Sequence, residues 1–75
     1  MAMKPGDSGD AVAAMQRALN RWIQGGGSPI ELEPLQEHGV YCEDTISAVA
    51  LFQQAIDRRA TGWADEETLA HLVRG

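Results

Sequence analysis

A nine-residue pattern occurs twice in this short chain, as AVAAMQRAL at positions 11–19 and as AVALFQQAI at positions 48–56. In both copies the apolar residues recur at the spacing of an amphipathic helix. Each copy also places a glutamine directly after the Met or Phe of its apolar face, at Gln16 and at Gln53. A polar residue at matched places predicts a shared structural role, in which a half-buried side-chain amide bonds to loop carbonyls and amides packed over the helix.

The repetition continues into two turns. Positions 39–45 and 62–68 both begin with Gly and end with Thr, and each stretch leads into a predicted helix. A Gly permits a tight backbone turn, and a Thr near the third position of a helix can bond back toward the exposed amides of the first turn. The repeat therefore predicts two related helix-and-turn units that close on one core.

The first helix is predicted from about residue 7 to residue 24. Asp7 and Asp10 offer side-chain acceptors at its start, and apolar residues follow at helical spacing. Three glycines, a serine and a proline at positions 25–29 end the helix, because such a stretch cannot sustain it. Residues 25–38 are then expected to form an extended loop, and residues 1–5 an N-terminal lead.

Two more helices follow. The second is predicted from about residue 43 to about residue 59, with acidic residues in its first turn and Arg58 and Arg59 in its last, as the helix dipole favours. The third is short, with Asp65 as its N-cap and Glu66 and Glu67 in its first turn. The predicted fold is all-α, a small three-helix bundle that forms one domain over residues 1–75.

Composition excludes several classes of protein. Apolar residues make up 44% of the chain, which is typical of a folded domain, and the formal net charge of −5 argues against nucleic acid as a partner. No apolar run approaches the roughly 20 residues of a membrane helix, and the first residues lack the apolar core of a signal peptide. Cys42 is the only cysteine, and with His38 and His71 it makes an incomplete zinc set. We predict no metal and no cofactor.

Three patterns follow one another along nearly the whole chain. The matching residues are Gly6, Gly9, Val12, Met15, Gln16 and Leu19 in the first, Gly39, Tyr41, Thr45, Ala48, Val49, Phe52 and Gln53 in the second, and Thr61, Gly62, Thr68, Leu69 and Leu72 in the third. Their order and spacing resemble the peptidoglycan-binding-like domain family, a three-helix module of cell-wall hydrolases and phage lysins. In this comparison Met15 takes the place of a Leu, and Tyr41 takes the place of a Phe.

The chain departs from the family pattern at the turn before the second helix. His38 stands where the family usually has Asp, and Cys42 stands where it usually has Gly. The linker over residues 24–37 also looks longer than is usual. It is either a specificity element or the result of drift.

The resemblance implies that the chain binds peptidoglycan, through its stem peptide and flanking amino sugars, in a shallow groove beside the helices. Such a site needs an aromatic face for a sugar ring or peptide methyl groups. Trp63, on a turn between helices, is the preferred candidate. Tyr41 is a second candidate, although its place in the pattern favours a buried ring whose hydroxyl reaches the surface. Trp22 continues the apolar stripe of the first helix and is expected in the core or as cover for a loop.

The site also needs donors for the carboxylates of the stem peptide. Arg17 and Arg21 lie one turn apart on the first helix and could clamp a carboxylate. Arg58 and Arg59 lie near Trp63 in sequence and form the other candidate pair. The alternative for each pair is a solvated surface role.

No catalytic set is apparent, and we predict that the chain is not an enzyme. Cys42 follows His38 by four residues, but a lone thiol at the start of a helix is usually structural. The acidic residues in the first turns of the helices are explained by the helix dipole.

Two functions stay open on the sequence. The first is a non-catalytic module that targets an attached or partner wall hydrolase to peptidoglycan, in the cell wall, the periplasm or a phage lysin. The second is a protein-docking or structural module that reuses the same scaffold. A monomer is expected for both, because no heptad pattern is present.

Overall fold

Three helices make up the computed structural model over the residues that it describes, 2–27 and 32–74. They are α1 (Asp10–Gln24), α2 (Glu43–Ala55) and α3 (Glu66–Arg74). The prediction of an all-α three-helix domain is confirmed. Of the predicted extended loop, residues 28–31 lie outside the described residues. No helix in the described ranges is both long and apolar enough to cross a bilayer.

The ends of α1 and α2 differ from the prediction. α1 begins at Asp10, after Gly9 with φ 128°, and the carboxylate of Asp7 accepts a hydrogen bond from the Lys4 amide at 3.1 Å. α2 ends at Ala55, so Arg58 and Arg59 lie beyond its last turn and the prediction that they lie inside it is wrong.

A Schellman-type ending explains why α2 stops early. Asp57 adopts a left-handed backbone with φ 61°. The amide of Asp57 donates to the Gln54 carbonyl at 3.1 Å, and the amide of Arg58 donates to the Gln53 carbonyl at 2.8 Å. These bonds satisfy the last carbonyls of the helix and turn the chain away from its axis.

α3 begins as predicted. The Asp65 carboxylate accepts a hydrogen bond from the Thr68 amide at 2.8 Å, which is the N-cap geometry. The hydrogen bond from that amide lowers the pKa of Asp65, and the Thr68 hydroxyl lowers it to a smaller extent. The carboxylate therefore stays ionised, as a cap at a positive helix end requires.

The core is small, as expected for a chain of 75 residues. α1 contacts both other helices, and the edge of one ring in the Trp22–Phe52 pair meets the face of the other at a centroid distance of 5.1 Å. The buried apolar side chains are Met3, Val12, Met15, Leu19, Tyr41, Ala48, Val49, Phe52, Ala64 and Leu72.

Gln16 is completely buried and forms what we call the first glutamine clamp, with Gly39, Val40 and Thr45. Its Nε2 donates to the Val40 carbonyl at 2.8 Å and to the Thr45 hydroxyl at 3.1 Å. Its Oε1 accepts from the Gly39 amide at 2.9 Å. The clamp thus uses both donors and the acceptor of one side-chain amide.

Gln53 forms the second glutamine clamp in the same way, with Gly62, Trp63 and Thr68. Its Nε2 donates to the Trp63 carbonyl at 2.8 Å and to the Thr68 hydroxyl at 3.1 Å, and its Oε1 accepts from the Gly62 amide at 3.0 Å. The predicted role of the glutamines is confirmed, although both are buried more deeply than expected, at 0% and 1% exposure. The hydroxyls of Thr45 and Thr68 accept hydrogen bonds from the two glutamine side chains, whereas they were expected to bond toward the amides of the first helical turn.

The residues before α1 connect the two clamped turns. Met3 exchanges hydrogen bonds with Ala64 in both directions, at 2.8 and 2.9 Å, and Tyr41 donates its amide to the Asp7 carbonyl at 3.0 Å. Met3 also buries its side chain in the core. The described part of the N-terminal lead is therefore fastened through Met3 to the turn before α3, and Asp7 is fastened to the turn before α2.

Loss of the second clamp should destabilise the domain. Gln53→Ala leaves the Gly62 amide and the Trp63 carbonyl without their buried partner, so we expect a loss of roughly 2–4 kcal/mol in the free energy of unfolding. The neighbouring Gln54 is exposed, and Gln54→Ala should change stability by less than about 0.5 kcal/mol. Urea unfolding measures both, and equal losses would show that the clamp contributes nothing particular.

The glycine of the first clamp is required for two reasons that a matched pair of variants can separate. Gly39 has φ 81°, and a Cβ there would lie 2.9 Å from the Gly9 carbonyl oxygen. Gly26 has φ 82° but no atom within 4 Å of the same Cβ. Both Ala variants incur backbone strain of about 1–2 kcal/mol, and only Gly39→Ala adds the collision. In urea unfolding, the free energy of unfolding of Gly39→Ala should be lower than that of Gly26→Ala by at least about 1 kcal/mol. The reverse order would contradict the close packing of Gly39 against Gly9.

Candidate functional site

Two concave surfaces bring together side chains that could contact a ligand. The first, here called the helix cleft, has a volume of about 410 Å³ and is lined by Ala18, Arg21, Trp22, Phe52, His71, Leu72, Val73 and Arg74. The second, here called the Trp63 concavity, has a volume of about 310 Å³ and is lined by Ala2, Met3, Lys4, Asp7, Trp63 and Asp65. They share no lining residue.

Helical periodicity builds the helix cleft. On α1, Arg21 and Trp22 lie three and four residues after Ala18, so both are its neighbours on one side of the helix. On α3, His71 and Arg74 are three residues apart and share a face in the same way. Because α1 packs against α3, these two faces form the walls of one cleft.

The cleft combines an apolar floor with a basic rim. Phe52 and Leu72 are buried at its base, and Trp22 is half-buried against Phe52. Arg21, His71 and Arg74 are exposed. The described residues that line the cleft include no Asp or Glu. Two guanidinium groups beside an indole can hold a carboxylate and at the same time cover an apolar group next to it.

The other candidate arginine of α1 faces a different partner. Arg17 Nε lies 3.4 Å from Glu37 Oε1 in an exposed ion pair, while the same carboxylate accepts from the amide of Asn20 at 2.9 Å. Asn20 also exchanges hydrogen bonds with the backbone of Leu35. Arg17 therefore contacts the segment that leads to α2, and it does not join Arg21 in a clamp.

The second candidate pair does not line the Trp63 concavity. The Arg58 guanidinium forms an ion pair with Glu67 in the first turn of α3. Arg59 is exposed and its carbonyl accepts from the Thr61 amide at 3.0 Å. Trp63 itself is 54% exposed. The charged residues that line the concavity with it are Lys4, Asp7 and Asp65, which the sequence did not indicate as a group.

Tyr41 lies in the core and not on the surface. Its hydroxyl donates to the Gly62 carbonyl at 2.5 Å, which links the turn before α2 to the turn before α3. A ring in this position cannot stack on a ligand while the turn stays closed. This is the buried place that the family pattern assigns to Phe.

Cys42 and His38 have separate partners. The Cys42 sulfur lies 3.7 Å from the Thr45 hydroxyl, and His38 Nδ1 accepts from the Val40 amide at 3.1 Å. The Thr45 amide lowers the pKa of the Cys42 thiol, and the Thr45 hydroxyl lowers it to a smaller extent. In the described part of the chain, no three His, Cys, Asp or Glu side chains group as metal ligands would.

Sequence reasoning missed His71 and Arg74 as cleft residues. Their spacing on the third predicted helix was visible, but the cleft exists only because α3 lies against the Arg21 face of α1. A helix of nine residues gives no sign of which neighbour its polar face will meet. Trp22 was expected to be core or loop cover, and it serves both as partial core and as a cleft wall.

Comparison with known proteins agrees with this fold. The model of a family described as "Putative peptidoglycan binding domain" matches residues 8–72, which is most of the chain. The matched range contains both glutamine clamps. Searches of curated proteins and of solved structures found no significant match.

The buried hydroxyl of Tyr41 predicts a dependence of stability on alkaline pH. Burial raises the pKa of Tyr41 from 10.0 to about 12, so between these values the unfolded chain ionises while the folded one does not. The contribution of the buried hydroxyl to the free energy of unfolding should be fully present below pH 10 and lost as pH rises toward about 12. This is the only tyrosine, so ultraviolet absorbance of the phenolate reports it directly.

Urea unfolding should show stability falling in the same interval in the wild type, and less steeply in Tyr41→Phe. A phenolate that titrates at its ordinary value in the folded protein would contradict the buried hydrogen bond.

Proposed function

This chain belongs to the peptidoglycan-binding domain family, and on that premise we propose that it is a non-catalytic module that binds the wall polymer through the helix cleft. Peptidoglycan is the ligand class that the family supports. The location of the site, and the use of the module to target a linked or partner wall hydrolase, are our inference.

The composition of the helix cleft supports this placement. Arg21 and Arg74 offer planar pairs of donors that match a carboxylate, and stem peptides present carboxylates beside small apolar side chains. Trp22 and the floor beneath it provide an apolar surface for these small side chains. The ligand groups and the cleft groups are therefore complementary in kind.

The distribution of charge explains how an acidic domain could bind a polymer rich in carboxylates. The chain has 11 acidic residues against 6 basic ones, yet two of those six line a cleft that lacks acidic side chains among its described residues. The domain extends 27 × 22 × 21 Å. At physiological salt, charges more than about 8 Å apart in solvent are largely screened. The cleft can thus attract an anion although the whole domain is negative.

An open cleft of this size is suited to modest affinity. Modest affinity is sufficient for a targeting module, because attachment to a catalytic domain makes each encounter at the wall effectively intramolecular. The expected place of action is the cell wall.

A protein-docking role is the second candidate. α3 presents a shallow surface formed in part by Leu69, Ala70 and Val73, and Val73 is 82% exposed. Exposed apolar surface of this kind is common at protein contacts. Under this alternative the acidic surface and the linker before α2 would contact the partner.

Co-sedimentation with insoluble peptidoglycan of differing stem-peptide types tests the proposal. The wild type should pellet saturably. Arg21→Ala/Arg74→Ala should weaken binding at least about tenfold, because each charge-assisted hydrogen bond contributes about 1.5–3 kcal/mol.

The matched control is Arg17→Ala/Arg58→Ala, which removes the same charge from two arginines outside the cleft. It should retain most of the binding. Equal losses in the two double variants would contradict the cleft as the site. A wild type that stays in the supernatant with every wall type would contradict wall binding and favour the docking role.

A further inference from the structure

Trp63 presents a large, exposed indole from a backbone that is firmly held. Its carbonyl accepts from Gln53 Nε2 at 2.8 Å and its amide donates to the Thr61 hydroxyl at 3.1 Å. The residues on either side are held as well, Gly62 by the second clamp and Ala64 by the two hydrogen bonds with Met3. An exposed aromatic side chain on a rigid turn is pre-organised to meet a ligand.

The scaffold itself does not need this indole. In the repeat, Val40 occupies the same place in the first clamp that Trp63 occupies in the second, directly after the clamped glycine. Both clamps use only the main-chain carbonyl at that position, and the Val40 side chain is 48% exposed. An aliphatic residue therefore satisfies the structural requirement, and the indole is available for another role.

The Trp63 concavity places polar groups of both kinds beside the ring. Asp7 and Asp65 each have one carboxylate oxygen engaged by a backbone amide, of Lys4 and of Thr68, which fixes their positions. Lys4, which lines the same concavity, carries a cationic side chain. The residues that line the concavity with Trp63 thus supply both acceptors and a donor.

This combination fits a saccharide better than a charged group. A pyranose ring has a face of C–H groups that packs on an indole, and its hydroxyl and acetamide groups both donate and accept hydrogen bonds. A free carboxylate would meet Asp7 and Asp65, and a free amine would meet Lys4. We propose that Trp63, with Lys4, Asp7 and Asp65, forms a saccharide subsite separate from the helix cleft.

The proposed function identifies the saccharide, and this inference rests on it to that extent. The amino sugars of the wall glycan would contact the Trp63 concavity while the stem peptide occupies the helix cleft. Two separated contacts on one polymer would raise the affinity above that of either contact alone.

Nuclear magnetic resonance with two separated probes tests the subsite. The probes are a tetramer of N-acetylglucosamine, which carries no peptide, and a free stem peptide, which carries no sugar. The chain has two tryptophans, so the indole N–H signals are easily assigned with a Trp63→Val variant that copies Val40. We expect the tetramer to shift the Trp63 signal, and the free peptide to leave it in place.

Trp63→Val should weaken tetramer binding about tenfold or more while the free energy of unfolding stays near that of the wild type. Trp63→Phe keeps a ring and should retain part of the binding, and Val40→Ala should retain all of it. The subsite is overturned if the tetramer leaves the Trp63 signal unmoved at millimolar concentration, or if it binds Trp63→Val as well as it binds the wild type.

The outcome is separable from that of the proposed function. If the tetramer does not bind at Trp63 but the wild type still pellets with peptidoglycan, the subsite is wrong and wall binding stands. If the tetramer binds at Trp63 but the wild type pellets with no wall type, the subsite stands as a saccharide site and wall binding fails.

Discussion

The buried side-chain amides of Gln16 and Gln53 are the interaction on which the rest of this structure depends. Each is surrounded by the core and yet has its donors and its acceptor satisfied, by one turn and one threonine. A domain of this length buries a comparatively small share of its surface, so packing alone gives its turns limited support. Buried hydrogen bonds can do so because a turn that moved away would leave amides and carbonyls unpaired in an apolar environment.

This arrangement separates the fold from the surface that could bind. The clamps use the main chain of Val40 and Trp63, so they place few demands on those side chains. In the same way, packing of α1 on α3 requires Leu19 and Leu72 but not the arginines at the rim of the helix cleft. Ligand preference could therefore change through rim residues and turn side chains while the scaffold persists.

Much of the fold could be predicted because its determinants are local. Helical spacing, the N-cap at Asp65 and the repeated glutamines are visible in short stretches of sequence. The end of α2 was misplaced because its left-handed residue is Asp57 and not the glycine that usually marks such an ending in sequence. The candidate site was harder still. Arg21 was identified, but its neighbours His71 and Arg74 come from a helix some fifty residues away in the chain. Arg58 was matched with Trp63 because the two are close in sequence, whereas its guanidinium pairs with Glu67.

The most direct test of the whole account is a map of amide and indole shifts in the labelled domain on titration with a soluble disaccharide–stem peptide fragment of the wall. The account predicts shifts at Arg21, Trp22, His71 and Arg74 and at the Trp63 indole, while the Gly39 and Gly62 amides hardly move because the clamps hold them. Shifts confined to other surfaces would contradict the proposed sites. Large shifts at Gly39 and Gly62 would contradict the rigid scaffold on which those sites are placed.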